Sequence, residues 1–297
     1  MQTDLLETFI SHYKPLVENR LGDAVTQLEA PEPLKDSMLY SLQAGGKRIR
    51  PLLLFATLKA FGIKPELGVD TAAAIEMIHT YSLIHDDLPS MDDDDLRRGK
   101  PTNHKVYGEA TAILAGDALL TLAFKMIGSI SPAIVDANVK LALINTLSEA
   151  AGAEGMVGGQ VADMEGEGKK LTLNELEYIH INKTGRLLAY SVLAGAEIAQ
   201  ADNSVKEKLS KFAHHIGLAF QIRDDILDLE GTEEVVGKPI GSDTGNDKNT
   251  YPSLLSLDGA KKALTEHINL AKQSLTTTGL DTILLEQITD LIGLRNS

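Results

Sequence analysis

Residues 83 to 98 read LIHDDLPSMDDDDLRR, which places six aspartates between Asp86 and Asp95 and follows them with Arg97 and Arg98. Two carboxylates about 4 Å apart repel by roughly 4 kcal/mol at an effective dielectric near 20. A folded chain must therefore splay the cluster into water or bring cations to it. The stretch upstream, TAAAIEMIHTYSLIHDD, fits a helix, and Pro89 biases Leu88 away from helical dihedrals, so the helix is expected to end at Asp86 and Asp87. On a continued helix Asp92 would lie about 600° from Asp86, on a different face. A bulged exit through Pro89 and Ser90 swings it back, and Asp86 and Asp92 then form a clamp of hard oxygen ligands suited to magnesium. For this stretch alone, a solvated acidic loop is the alternative. A calcium EF-hand loop is excluded, because the ligand spacing fails at Leu88 and the central glycine is missing.

A second acidic motif lies in FQIRDDILDLEG, residues 220 to 231, where Asp224 and Asp228 fall one helical turn apart with Asp225 beside them. Like charges at that spacing destabilise an isolated helix, and a helix C-terminus already carries partial negative charge. A solvated helix face would explain one such motif; two of them ask for cations.

Basic residues gather elsewhere. QAGGKRIRP holds Lys47, Arg48 and Arg50; Arg97 and Arg98 follow the first acidic cluster; INKTGR carries Lys183, Thr184 and Arg186; Lys238 and Lys248 fall in a later loop. Arginine forks match phosphate oxygens and lysine supplies a compact charge, so acidic clusters for metal beside basic clusters for anions suggest two phosphate-rich substrates. The GGK is no P-loop, since Arg48 stands where Ser or Thr is required. His79, seven residues before Asp86, projects on nearly the same helical face. Ser82 and Tyr81 would form the wall or floor of an apolar slot about 6 to 8 Å below the acidic site, with ordinary core packing as the alternative for Tyr81 and a satisfied core histidine as that for His79.

With 297 residues and 43% hydrophobic composition the chain can bury a large core. Alanine and leucine are abundant, tryptophan is absent and no alternating β-branched run is sustained, so the expected class is all-α. Helices are expected over about 3–29, 34–45, 49–62, 66–88, 110–127, 133–153, 173–200, 203–229, 258–276 and 280–293. Residues 157–170 and 230–252 read as ordered loops. No linker or repeat divides the chain, so one domain over 1–297 is expected. A net charge of -14 argues against nucleic acid or anionic lipid as partners. No cysteine is present, which removes thiolate chemistry and fits a reducing cytosol. The N-terminus lacks signal-peptide character, and the apolar tract 112–124 is broken by Asp117 and falls short of a membrane span. The expectation is a soluble, cytoplasmic protein without stable membrane association.

GGKRIRP, EMIHTYSLIHDDLPSMDDDDLRRGKPTNH, GEATAILAGD, GGQVADM, NKTG, FQIRDDILD and GKPIGSD together resemble the trans-isoprenyl diphosphate synthases, most closely the bacterial short-chain farnesyl type. The resemblance spans nearly the whole chain. It implies a single large domain of long helices around a central cavity, homodimeric, using Mg2+ with Mn2+ as a substitute, and acting on isoprenoid diphosphates. It assigns Asp86, Asp92 and Asp224 to metal, supported by Asp87, Asp225 and Asp228. Arg97, Lys183 and Lys238, aided by Thr184 and Gln221, would hold the allylic diphosphate; Lys47, Arg50, His79 and Arg98 would position isopentenyl diphosphate. An aromatic residue five before the first aspartate, with the two-residue insertion in the motif, implies a product near C15. Tyr81, with Ser82, fills that place, although geranylgeranyl (C20) synthases share nearly every other motif. An HD-type phosphohydrolase is conceivable from His85-Asp86 but leaves the second motif unexplained, and a non-catalytic regulatory subunit would tend to lose one aspartate motif. Asp93, Asp94 and Asp95 are either solvated or tethers of Arg97 and Arg98, and His85, Asp117 and Gln160 receive no role.

Overall fold

The computed structural model describes residues 2–230 and 249–294. Most of the expected loop 230–252, including Lys238 and Lys248, lies outside these residues. In chain order the helices are α1 (Gln2–Thr26), α2 (Glu32–Leu42), α3 (Ile49–Ala60), α4 (Val69–Asp86), α5 (Asn103–Tyr107), α6 (Glu109–Gly128), α7 (Ala137–Ala151), α8 (Met156–Gly166), α9 (Leu173–His180), α10 (Arg186–Ile198), α11 (Asn203–Glu230), α12 (Tyr251–Leu255), α13 (Leu257–Thr276) and α14 (Ile283–Leu294). Between α9 and α10 the chain takes a π-helical turn, Ile181–Gly185. Among the described residues the strand content is a two-residue antiparallel ribbon, β1 (Leu96–Arg97) on β2 (Lys100–Pro101). The all-α expectation holds.

Helices α3 and α4 form the interior. Leu52, Leu53, Leu54, Phe55, Ala56 and Leu58 of α3 are buried, as is the run Ala72 to Ile78 of α4. A helix apolar on all sides has nowhere stable to sit except inside. Around this pair pack α1, α2, α6, α10 and α14, while α11 lies along α13. A second cluster, with Leu176, Leu218, Ile222, Ile226, Tyr251 and Leu264, ties α9, α11, α12 and α13 together. Helix α6 is long and apolar enough to span a bilayer by length and composition. That corrects the expectation that Asp117 leaves the tract too short. Its buried residues, among them Ala112, Ala115, Leu119 and Ala123, are nevertheless those of a core helix packed on α4.

Residues 157–170 do not form a loop throughout: Met156–Gly166 is helical. The expectation failed because Gly158, Gly159, Gly166 and Gly168 lower helix propensity, and tertiary contact overrides propensity here. A Cβ on Gly159 would lie 2.2 Å from the Lys183 backbone nitrogen. The glycine that makes α8 look like a loop is what lets it lie against the π-turn.

Candidate active site

The first aspartate motif closes as its spacing requires. Helix α4 ends at Asp86, Asp87 caps it, and the Asp92 amide donates to the Asp86 carbonyl oxygen over 2.9 Å. Met91 and Asp93 amides both donate to the Leu88 carbonyl, with Asp93 at φ 53°. This tight exit returns Asp92 to Asp86. Burial raises Asp86 to about 6; the Lys183 charge opposes that shift and the Asp92 charge adds to it. A carboxylate held in this way gains from a divalent cation, and two carboxylates offering hard oxygens have the chemistry magnesium prefers.

Asp87 is buried, and its carboxylate receives the Arg97 guanidinium at 2.7 Å and 2.9 Å from Nε, with a further bond from Nη2. Asp94 approaches Arg97 to 3.5 Å, as a tether would, whereas Asp95 pairs with Lys105 at 2.6 Å and not with either arginine of the motif. Arg98 reaches back to the Gly45 carbonyl oxygen, its guanidinium so close that a Cβ on Gly46 would meet it at 2.9 Å. The GGKRIR turn and the end of the acidic loop therefore meet, buried Arg50 and exposed Arg98 both bear on His79, and exposed Lys47 stands three residues before Arg50 in the same turn. Burial, and then the charges of Arg50 and Arg98, hold His79 well below the usual imidazole range, so at neutral pH it faces the site uncharged. Arg48 has a different task. At φ 54° it strains the backbone, and its buried side chain pairs with Glu76 at 2.7 Å and donates to the Leu42 carbonyl. It ties the turn to α4.

Across the cleft the π-turn presents Lys183 and Thr184. Extra-residue turns of this kind recur at functional sites because they re-aim side chains. Lys183 Nζ is 2.6 Å from Asp163 Oδ2 on α8. Sequence reasoning missed Asp163; its position three residues after Gln160 would have marked it only had 156–166 been read as a helix. On α11, a Cβ on Gly217 would stand 3.0 Å from the Gly185 Cα, and Gln221, one turn on, shares that face. Asp224 and Asp228 follow on the last two turns of α11. Asp225 is buried, accepts the Tyr251 amide at 2.8 Å and lies 3.9 Å from His180 Nε2. Burial, together with the Lys183 charge and against that of Asp163, lowers His180 to about 4. Two contacts, Lys183 with Asp163 and His180 with Asp225, are thus joined by the influence of the Lys183 charge on Asp86 and of the Asp163 charge on His180, which couples the two acidic motifs electrostatically. Among the described residues, no three His, Asp or Glu side chains converge closely enough to hold a metal ion by themselves.

Beside Asp86 lies a cavity of about 500 Å³, lined by the polar groups of Arg50, His79, Lys183 and Thr184 and by Tyr81, Ser82, Leu88, Met156, Val161 and Met164. Gln160, unassigned from sequence, lines it too. Charged groups and apolar walls share one cavity, which suits a molecule with a polyanionic head and a hydrocarbon tail.

The polyprenyl synthetase family profile matches residues 31–281. A farnesyl diphosphate synthase of Geobacillus stearothermophilus is 59% identical over 291 residues, 98% of each chain. A geranylgeranyl diphosphate synthase of Cyanophora paradoxa is 44% identical, covering 100% of this chain and 99% of its own. Among solved structures, an FPP/GFPP synthase from Zymomonas mobilis superposes with a TM-score of 0.86 at 36% identity, covering 98% of this chain and 99% of that one.

Proposed function

Because the chain belongs to the polyprenyl synthetase family, whose members are magnesium-dependent prenyltransferases, we propose that it condenses isopentenyl diphosphate with dimethylallyl and then geranyl diphosphate to give farnesyl diphosphate. The observation that carries this reading is the cavity: Asp86 and Lys183 line it together with Tyr81, which stands about 7.5 Å from Asp86 along α4 at 1.5 Å per residue.

In this reading Asp86, Asp92 and Asp224, supported by Asp87, Asp225 and Asp228, hold magnesium, which when bound neutralises the allylic diphosphate and favours its departure. Arg97 and Lys183 stabilise the same leaving group as its charge grows, and Asp87 and Asp163 keep the two cations aimed. Thr184 and Gln221 are assigned to the neighbourhood of the reacting carbon, and the place of Thr184 in the cavity wall supports its part. Lys47, Arg50, His79 and Arg98 fix isopentenyl diphosphate with its double bond beside the allylic carbon. The carbon–oxygen bond to diphosphate breaks, the double bond of isopentenyl diphosphate forms the new carbon–carbon bond, and the departed diphosphate takes the proton lost in forming the product alkene. No protein nucleophile is required. Apolar walls keep water from the cation.

Buried Tyr81 and half-buried Ser82 support a stop near C15, and the farnesyl-forming relative supports it independently; a C20 product is the second reading, favoured by the geranylgeranyl relative. The exposed apolar residues Ile113 and Leu114 on α6 and Leu141 on neighbouring α7 support a homodimer. The buried inner side of α6 accords with a core helix in place of a membrane span, and a cytoplasmic location is part of the proposal. Incubating the purified chain with magnesium, isopentenyl diphosphate and primers of increasing length, then sizing the products, tests the whole reading. Farnesyl diphosphate as the end product supports it and C20 accumulation selects the second reading. Free phosphate without prenyl product refutes both.

A further inference from the structure

His85 stands one turn beyond Tyr81 on α4, and the two rings meet edge to face with centroids 5.7 Å apart at 79°. The imidazole is held in turn by α6. Its Nε2 lies 3.1 Å from the Ile113 carbonyl oxygen, which can only accept, so Nε2 carries the proton and donates it. Asp117 Oδ1 is 4.0 Å from the same nitrogen. This seat exists because residue 116 is glycine: a Cβ there would lie 2.1 Å from His85 Nε2 and 2.5 Å from Cδ2, far inside contact distance. Glycine in mid-helix weakens the helix relative to alanine, so the notch is kept against local propensity. Tyr81, Ser82, His85 and Ile113 all line the same cavity.

We propose that His85, seated in the notch at Gly116, is a positioning residue that fixes the Tyr81 ring as the floor of the cavity and thereby sets product length. The inference rests on the reading of Tyr81 as the stop to chain growth. A tyrosine on a helix can occupy more than one χ1 rotamer, and a growing hydrocarbon tail would push it aside unless something held it. The ring four residues along, hydrogen-bonded to a second helix, supplies that restraint across the α4–α6 interface. His85 thus belongs to the specificity of the reaction while touching none of the reacting atoms.

Purified Gly116→Ala, Tyr81→Ala and the double variant are given geranyl diphosphate, isopentenyl diphosphate and magnesium, with circular dichroism to check folding and mass spectrometry to size the products. In Gly116→Ala the C20 to C15 ratio rises about fivefold while isopentenyl diphosphate consumption stays within about twofold, a coupling typical of side chains in contact. In the double variant the ratio equals that of Tyr81→Ala alone. A Gly116→Ala enzyme that slows without changing product length, or a double variant that exceeds Tyr81→Ala, overturns the proposal. Should Gly116→Ala fail to fold, His85→Ala and its double with Tyr81→Ala are read against the same expectations. If Tyr81→Ala itself leaves the C15 pattern unchanged, the chain-length reading falls and the role of His85 with it; if Tyr81→Ala lengthens the product while Gly116→Ala is silent, only the role of His85 falls.

Discussion

Lys183 and Asp163 form a pair 2.6 Å apart with both side chains about a quarter exposed. Its worth for stability is small at that exposure, and its value lies in aiming the lysine. Asp163→Asn leaves Lys183 free to wander, and turnover with saturating substrates is expected to fall roughly ten- to a hundredfold, as misplacement of about an ångström does elsewhere. Steady-state kinetics check this, and an unchanged turnover would mean that the lysine needs no guide. Glu76 shows the opposite balance. Its ion pair with Arg48 is buried, with 3% of each side chain exposed, so Glu76→Ala leaves that buried charge with only half-exposed Glu18 at 3.5 Å and the Leu42 carbonyl, and should cost about 3 kcal/mol in urea unfolding. The two pairs look alike in sequence, a basic residue with a distant acid, and only burial separates the structural tie from the functional one.

At the scale of elements, α8 and the π-turn form a unit built on absent side chains. Gly159→Ala would drive a methyl into the Lys183 backbone, which cannot step aside as a side chain would. The expected result is a lowered Tm together with loss of most activity, read by thermal unfolding and product assay; a fully active variant would show that the close approach is dispensable. His180, at the end of α9, gives a pH signature. Its folded value of about 4 lies below the unfolded value near 6.5, so between those limits the unfolded chain binds more protons. The stability contribution is present above pH 6.5 and declines as pH falls towards 4, by about 1.4 kcal/mol per pH unit at its steepest. Urea titrations at pH 7 and pH 5 should differ more in the parent than in His180→Gln, and equal differences would place the loss in other groups.

The legibility of these elements follows from where their information lies. The end of α4 and the return of Asp92 were readable, because Pro89 and a carboxylate spacing act over a few neighbouring residues. The interior helices α3 and α4 were readable from their unbroken apolar runs. Helix α8 was not, since its glycines serve a contact with residues more than twenty positions away. The π-turn escaped for a similar reason: one extra residue in a turn leaves no mark in hydrophobic period. Of the site, the aspartates and basic residues could be picked out by type, whereas Asp163 and the seat of His85 depend on which helices lie side by side.

Over the whole molecule, α3, α4 and the π-turn bring Arg50, His79, Asp86 and Lys183 to one cavity with apolar walls, and α11, which carries the second acidic motif, packs on the same turn. The exposed apolar side of α6 gives a further expectation: Leu114→Asp, at a residue 58% exposed, should convert a dimer to a monomer in sedimentation equilibrium with little loss of helicity. A parent that is already monomeric at micromolar concentration would remove the dimer from the account. The central claim is that the two aspartate motifs act together on one diphosphate. Its most direct test is the rate of farnesyl diphosphate formation by Asp86→Ala and Asp224→Ala, each measured at saturating magnesium and substrate. Each is expected to fall roughly a thousandfold or more, since the stabilisation lost is of the developing leaving-group charge. Near-normal turnover in either variant would contradict the account.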